Sequence, residues 1–364
     1  MPDRPDRTAK TNPGNYFEDF EGGRTLVHAV PRTLTEGDCA LYVGLYGDRF
    51  PLHSSAEYAR SLGYQRETVN DLLVFHTVFG KSVNDVSLNA VANLGYADVR
   101  FLAPVYPGDT LRAVSEVLGK KENKSGQNGI VWVRTVGTNQ HGKPVLQYCR
   151  WVMVNKRDIS KLTHADDKPL LPKQVEPQQL PLPGALDLAR YEAWPAGGRA
   201  YFDDYNVGEV IDHIDGMTIE ESDHTLATRL YQNTAKVHFD AFAAKSTRFG
   251  KRLIYGGHII SVARALSFNG LENTLGILAW NAGTHANPTF AGDTIYARSE
   301  VLGKATLPSR NDVGALRLRL VAFKNHNPAV EPVPLKVEKD GAEAYHPSVV
   351  LDLDYWVLMP KERR

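Results

Sequence analysis

Two short loops of this 364-residue chain carry side chains suited to moving protons. In LYGDRFPLHSSAEYA (Leu45 to Ala59), Asp48 stands five residues before His53; in LYQNTAKVHFDAFA (Leu230 to Ala243), Asn233 stands five before His238, and Asp240 follows. A carboxylate and an imidazole on one loop can share a water molecule and exchange acid and base roles. The water becomes a nucleophile toward an electron-poor carbon, and a proton can be returned to the neighbouring carbon. Asn233 cannot act as a base; it can only orient water. The plainer alternative is local: Asp48 could cap the short helix that follows, with Ser54 and Ser55 sharing that work.

The remaining polar candidates divide by context. His28 and His213 recur beside strands, where structural hydrogen bonds are the better expectation. His76 and His258 fall in the two apolar helical segments; His76 is expected in the core or at an interface, and His258 follows a glycine pair where it could line a pocket. Arg248, Lys251 and Arg252 cluster before the second segment and are candidates for binding phosphates, although a small basic run is more often a solvated loop. Gly108 and Gly292 sit in Gly-Asp-Thr tripeptides, which predict turns between strands. Trp151 and Trp356, at matched strand positions, are expected in the core.

These residues occupy equivalent places because the chain repeats itself. NYFEDFEGGRTLVH (Asn15 to His28) matches AYFDDYNVGEVIDH (Ala200 to His213) at an offset of 185, which also relates His53 to His238. PVYPGDTLRAVSEVLGK matches PTFAGDTIYARSEVLGK at 184, one loop deletion away, and CRWVMV aligns with DYWVLM after about twenty extra residues in the second copy. So long a period means two domains rather than a solenoid. Five prolines in KPLLPKQVEPQQLPLPG forbid helix and ladder and favour an extended linker between the copies. The expected organisation is a disordered tail over 1–14, a domain over 15–158, a linker over 159–197 and a second domain over 198–364.

Each copy shows the same order: an opening turn, a short polar helix, one strongly apolar helix (TVNDLLVFHTVFGKSV; IYGGHIISVARALSFNG), then alternating strands such as VSLNAVANLGYADVRF and GIVWVRTVGTNQ. Segregated helix and meander argue for an α+β fold. A helix apolar on nearly every side must be enclosed. An antiparallel sheet wrapped around a central helix is a hotdog fold, here in tandem.

Gly47-Asp48-Arg49-Phe50-Pro51-Leu52-His53 resembles the signature of the MaoC-like, or (R)-specific enoyl-CoA hydratase, family, departing at Phe50, where the family usually has Asn. The second copy keeps His238 and a family-like His-x-Asp at Asp240. The resemblance covers essentially the whole chain outside tail and linker, and within the family the pattern is most similar to mesaconyl-CoA hydratases, which are double hotdogs. It implies hydration of a short-chain enoyl-CoA thioester, no cofactor beyond the CoA carried by the substrate, and a homodimer or higher homo-oligomer. It also implies a glycine at the start of the central helix as the donor to the thioester enolate: Gly257 in the second copy, with Asp71 in that position in the first. Here the copies disagree. The complete Asp48/His53 pair favours the first; the glycine helix start favours the second with Asn233 and His238.

Composition excludes other classes. With 42 Lys+Arg against 42 Asp+Glu, no global field attracts nucleic acid or anionic membranes. No membrane span or signal-peptide core is evident, so a cytoplasmic location is expected. Two cysteines make no disulfide framework, and no zinc spacing, P-loop, dinucleotide fingerprint or Gly-x-Ser-x-Gly elbow occurs. A hotdog thioesterase and a non-catalytic acyl-CoA-binding module remain as alternatives, because fold alone does not fix chemistry.

Overall fold

The computed structural model describes residues 10–308 and 310–362. Residues 1–9 of the expected tail lie outside that range, while Gly14 is buried and packs on Leu88. The first copy supplies β1 (Thr25–Thr33), α1 (Glu36–Tyr46), α2 (Ala56–Ser61), α3 (Asp71–Ser82), β2 (Ala90–Phe101), β3 (Thr110–Glu122), β4 (Asn128–Thr138) and β5 (Pro144–Asn155). The second supplies β6 (Val210–Thr218), α4 (Glu221–Leu230), the short α5 (Lys236–Phe239) and α6 (Ala241–Ala244), α7 (Gly256–Leu266), β7 (Ile277–His285), β8 (Thr294–Leu307) and β9 (Arg310–Lys324). It continues with the hairpin β10 (Lys336–Lys339) and β11 (Ala342–Tyr345), and ends in β12 (Val349–Pro360). That hairpin accounts for residues the second copy has gained before its last strand.

All the long strands form one ten-stranded antiparallel sheet, ordered β1-β3-β4-β5-β2-β7-β12-β9-β8-β6. The two copies meet edge to edge where β2 pairs β7, with Tyr96 opposite Gly283 and Val99 opposite Trp280. The pairing gives two exposed sheet edges to each other, so neither is left as an open template.

Against the concave face lie α3 and α7. Every residue from Leu72 to Ser82 and from Gly257 to Leu266 is buried. Helices this apolar have no stable place in water; each buried Leu, Ile, Val or Phe contributes about 1.5–3 kcal/mol. The copies interlock through the helices as well. Gly80 of α3 lies so close to the Tyr231 carbonyl, just past α4, that any side chain at 80 would collide with it. The Tyr46 and Tyr231 hydroxyls, equivalent residues of the two copies, bond each other at 2.7 Å.

Local expectations have local explanations. Thr35 and Asp38 form a capping box at the start of α1, and Gly47, in the left-handed region at φ 57°, ends it. Gly108 and Gly292 turn at φ 103° and 92°. His28 bonds Asp85 and Ser115 at 2.7 Å each, and His213 bonds the Asn269 carbonyl and Ser299, the structural roles expected of them.

Three expectations need correction. The alternation predicts a strand from Val86, but Val83–Ser87 continue the helix as a π turn and the strand begins at Ala90. Trp151 is only partly buried; it lies on the outer face against Gly95, whereas Trp356 is buried. The difference comes from the proline-rich segment, which is more than a spacer. Val175, Leu180, Leu186 and Leu188 pack over the outer face of the second copy's sheet, and the Val175 carbonyl accepts the Trp356 indole N–H at 3.1 Å.

Because the copies are packed as one body, Gly80→Ala should destabilise the whole chain. Forcing a methyl between α3 and the Tyr231 carbonyl is expected to cost about 1–3 kcal/mol, measured as a lower urea midpoint in a single cooperative transition.

Candidate active site

The two motif loops do not converge on one site. They build two sites related by the repeat, one at the N-terminus of each central helix. Within each loop the geometry is reproduced in detail: the Asp48 Oδ1 and Asn233 Oδ1 atoms each accept the backbone N–H two residues on, at 3.2 Å. His53 Nδ1 bonds the Thr68 hydroxyl at 3.0 Å, and His238 Nδ1 bonds the carbonyl of the equivalent residue, Leu253, at 2.7 Å.

In the first copy the ionisable groups are engaged with one another and with the scaffold. The second oxygen of Asp48 accepts from Asn70 Nδ2 at 2.6 Å. Asn70 Oδ1 also caps α3 by accepting the Leu72 N–H at 2.8 Å. Asp71, the first residue of α3, sends its carboxylate to the Ile277 N–H of β7 at 2.9 Å, with His53 Nε2 3.9 Å away. Burial pushes the Asp71 pKa up. The space beside this loop is filled: Phe50 packs edge-on against Phe268 at 5.1 Å and carries the Arg264 guanidinium over its ring at 3.7 Å. An anion forming at this helix start would face a carboxylate. At about 4 Å and an effective dielectric near 20, that repulsion is about 4 kcal/mol, roughly a thousandfold in rate.

The second copy is arranged differently at each of these points. Gly256, rather than the expected Gly257, stands where Asp71 does, because α3 begins at Asp71 after Asn70 and α7 begins at Gly256 after Tyr255; Gly257 takes the place of Leu72, and Ala235 that of Phe50. No side chain caps α7, whose first residues are Gly256 and Gly257. The absence of side chains here is enforced by packing: a Cβ on Gly256 would collide with the His285 ring, and one on Gly257 would meet the Tyr255 ring and, at 2.6 Å, His76 Cε1. The N–H groups at this end therefore stand available to an acceptor, with the positive end of the helix dipole behind them.

Around that helix start stands a group of histidines held neutral by burial. The His238 pKa is lowered to about 4, as are those of His258 and His285, and His224 falls lower still. The tautomers follow from the partners. His238 Nδ1 must donate to the Leu253 carbonyl, which leaves Nε2 with a free lone pair. His224 Nε2 accepts the Tyr255 N–H at 2.9 Å, so its proton sits on Nδ1. His258 bonds the Tyr46 hydroxyl at 2.9 Å, and the His238 ring lies 5.6 Å from that of Tyr255. His76 crosses from the first copy to Ser261 at 2.9 Å and to the Tyr255 hydroxyl at 3.3 Å, the interface role expected of it. A groove of about 410 Å³ lies between the C-terminal end of α3 and the 229–239 segment, lined among others by Lys81, Arg229, Gln232 and Thr234; the residues at the start of α7 are not part of its lining.

The basic cluster is split. Arg252 is engaged by Glu221, with Nε at 2.9 Å, and by Thr225. Arg248 and Lys251 are exposed, lying over the Phe249 and Phe290 rings. Sequence reasoning missed Tyr255, His224, His285 and Tyr46, because nothing in their local pattern reveals that four separate segments meet at Gly256. Among the described residues no group of His, Cys, Asp or Glu is arranged to hold a metal ion, and no helix is long and apolar enough to cross a membrane.

The sequence model of the mesaconyl-CoA hydratase family matches residues 3–333. The chain is 56% identical over 354 residues to a β-methylmalyl-CoA dehydratase of Chloroflexus aurantiacus, covering 97% of this chain and 99% of that protein. It is also 56% identical to a mesaconyl-CoA hydratase of Cereibacter sphaeroides, covering 97% and 100%. Among solved structures, a MaoC domain protein dehydratase from Chloroflexus aurantiacus superposes with a TM-score of 0.92 at 55% identity, covering 98% of this chain and 100% of that one. A Mycobacterium tuberculosis protein described as a double hotdog gives 0.75 at 23% identity, covering 95% and 98%, a likeness of fold alone.

The neutral histidines make stability depend on pH. An unfolded chain binds their protons below about pH 6.5, while the folded state refuses them until about pH 4. Stability should therefore be complete above that window and fall as the pH drops through it. For the buried His258 the effect is roughly 3 kcal/mol, so His258→Gln should flatten the decline of Tm between pH 6.5 and 4.5.

Proposed function

This chain belongs to the mesaconyl-CoA hydratase family, and from that premise we propose that it reversibly hydrates mesaconyl-CoA to β-methylmalyl-CoA, with the chemistry at the second copy's helix start. The observation that carries the choice of copy is the uncapped Gly256-Gly257 end of α7 beside His238, set against the carboxylate of Asp71 at the equivalent place in the first copy.

The reaction follows from the groups present. His238, with Nδ1 anchored on the Leu253 carbonyl, takes a proton from water at Nε2. The hydroxide adds to the β-carbon, and the thioester carbonyl becomes an enolate whose oxygen accepts the N–H of Gly257. The imidazolium then returns the proton to the α-carbon, so one molecule of water has been added and His238 is neutral again. One imidazole therefore serves as base and then as acid, and Asn233, buried and bonded through Oδ1 to the Ala235 N–H, orients the water with its amide. The first copy's Asp48/His53 loop, with its polar atoms engaged and Phe50 filling the adjacent space, supports the wall of the interlocked pair. Arg248 and Lys251, exposed in the loop before α7, are the cations this reading assigns to the CoA phosphates.

The test is loss of enoyl-thioester absorbance on mesaconyl-CoA. His238→Ala should lower kcat by about 10²–10⁴, while His53→Ala stays within about tenfold. The reverse result would move the chemistry to the Asp48/His53 pair. The pH profile of kcat/KM should be flat above about pH 5 and fall on acidification through the His238 value of about 4, because only the neutral imidazole is a base.

A further inference from the structure

The least accommodated charge in the described residues lies in the core of the first copy. Arg150 on β5 is wholly buried. Its Nη2 donates to the Ser82 hydroxyl at 2.9 Å and to the Ser87 hydroxyl at 3.4 Å, but Nε and Nη1 have no hydrogen-bond partner among the described residues. No carboxylate pairs with it there. The Tyr148 hydroxyl, two residues back on the same face of β5, likewise makes no well-aligned bond. A guanidinium cannot shed its proton to escape burial as a lysine can. A buried cation left this way is strongly unfavourable unless something anionic completes it.

The position of Arg150 points to what that anion is. It stands directly opposite Tyr96 in the β2–β5 pairing, so the two side chains share the inner face. The Tyr96 hydroxyl reaches His285 Nε2 at 3.4 Å, and the His285 ring packs on Gly256 at the start of α7. On the other side, the guanidinium lies 4.2 Å over the Phe79 ring, and Phe79 lies 5.6 Å from Tyr255. Both routes run from the guanidinium to the helix start of the proposed site, through aromatic rings that could wall a flat, unsaturated group. By contrast, the other wholly or nearly buried arginine of the core, Arg264, donates to Ser267 and Thr274 and lies in the region of Asp71, which supplies a countercharge.

We propose that Arg150, assisted by the Tyr148 hydroxyl, receives the free carboxylate of a dicarboxylic acyl thioester, and so selects substrates that carry a second acid group on the acyl chain. The inference rests on the proposed site at α7. Arg150 is a specificity-determining residue and takes no part in proton transfer. It draws the acyl group of a thioester bound at the second copy into the core of the first, which gives the first hotdog a use in recognition.

Two measurements on the full-length protein test this. The first is the ratio of kcat/KM for mesaconyl-CoA over crotonyl-CoA, which lacks the second carboxylate. The second is the ratio of Kd values for succinyl-CoA and butyryl-CoA, saturated thioesters that differ in the same group. In the wild type both ratios should favour the dicarboxylic thioester. Arg150→Met should lower the first by at least about 100-fold, as expected when a site built for a polar group loses its partner, and should make succinyl-CoA and butyryl-CoA bind alike. Arg150→Lys keeps the charge and should fall between, which preserves the test if the methionine variant does not fold. Unchanged ratios in either folded variant, or equal losses on both enoyl thioesters, overturn the proposal. If the wild type hydrates neither enoyl thioester, the proposed function fails, while the succinyl-CoA and butyryl-CoA comparison still decides the role of Arg150.

Discussion

Two helices buried on nearly every side need a sheet that closes over both at once. That constraint organises the rest of the molecule. α3 and α7 lie together under one ten-stranded sheet because β2 and β7 pair at the centre. Each helix then begins near the seam between the copies: α3 beside Ile277 on the other copy's β7, and α7 beside His285 on its own β7 and His76 of the other copy's α3. A helix start is an electrostatic feature whatever surrounds it, with unsatisfied N–H groups and a partial positive charge. Burying two such starts at the seam obliges the protein to deal with both.

It deals with them in opposite ways. At α3 the need is met internally: Asn70 caps the Leu72 N–H, and the Asp71 carboxylate binds Ile277 N–H beside His53. At α7 two glycines leave the N–H groups without a side-chain cap, and the packing of His285, Tyr255 and His76 excludes any larger residue. Duplication gave the chain two similar sites, and a handful of differences separate them: Gly256 for Asp71, Ala235 for Phe50, Tyr255 for Asn70. The histidines around α7 are neutral because burial disfavours their charge, which makes them acceptors and bases at ordinary pH.

Much of this was legible beforehand, and the reasons differ by feature. The duplication and the turns at Gly108 and Gly292 are local facts written in a few adjacent residues. The roles of His28 and His213 followed from their recurrence at matched strand positions. The π turn over Val83–Ser87 is not legible in the sequence, because alternation of apolar residues is also compatible with the end of a buried helix. Trp151 and Trp356 looked equivalent, and their different burial depends on where the proline-rich segment runs, which no periodicity encodes.

The sequence by itself determined the two-copy architecture, the α+β class and the identity of both motif loops, because each depends on spacing within a short stretch of chain. Only the tertiary structure decided what stands at each helix start. Asp71 meets a backbone N–H more than two hundred residues away, and Gly256 is bounded by a histidine from β7. The same holds for Arg150, whose alternation along β5 places it inward but cannot say that no carboxylate among the described residues pairs with it. Whether a buried group has a partner is settled by what the fold brings to it from elsewhere in the chain, and so is legible only in three dimensions.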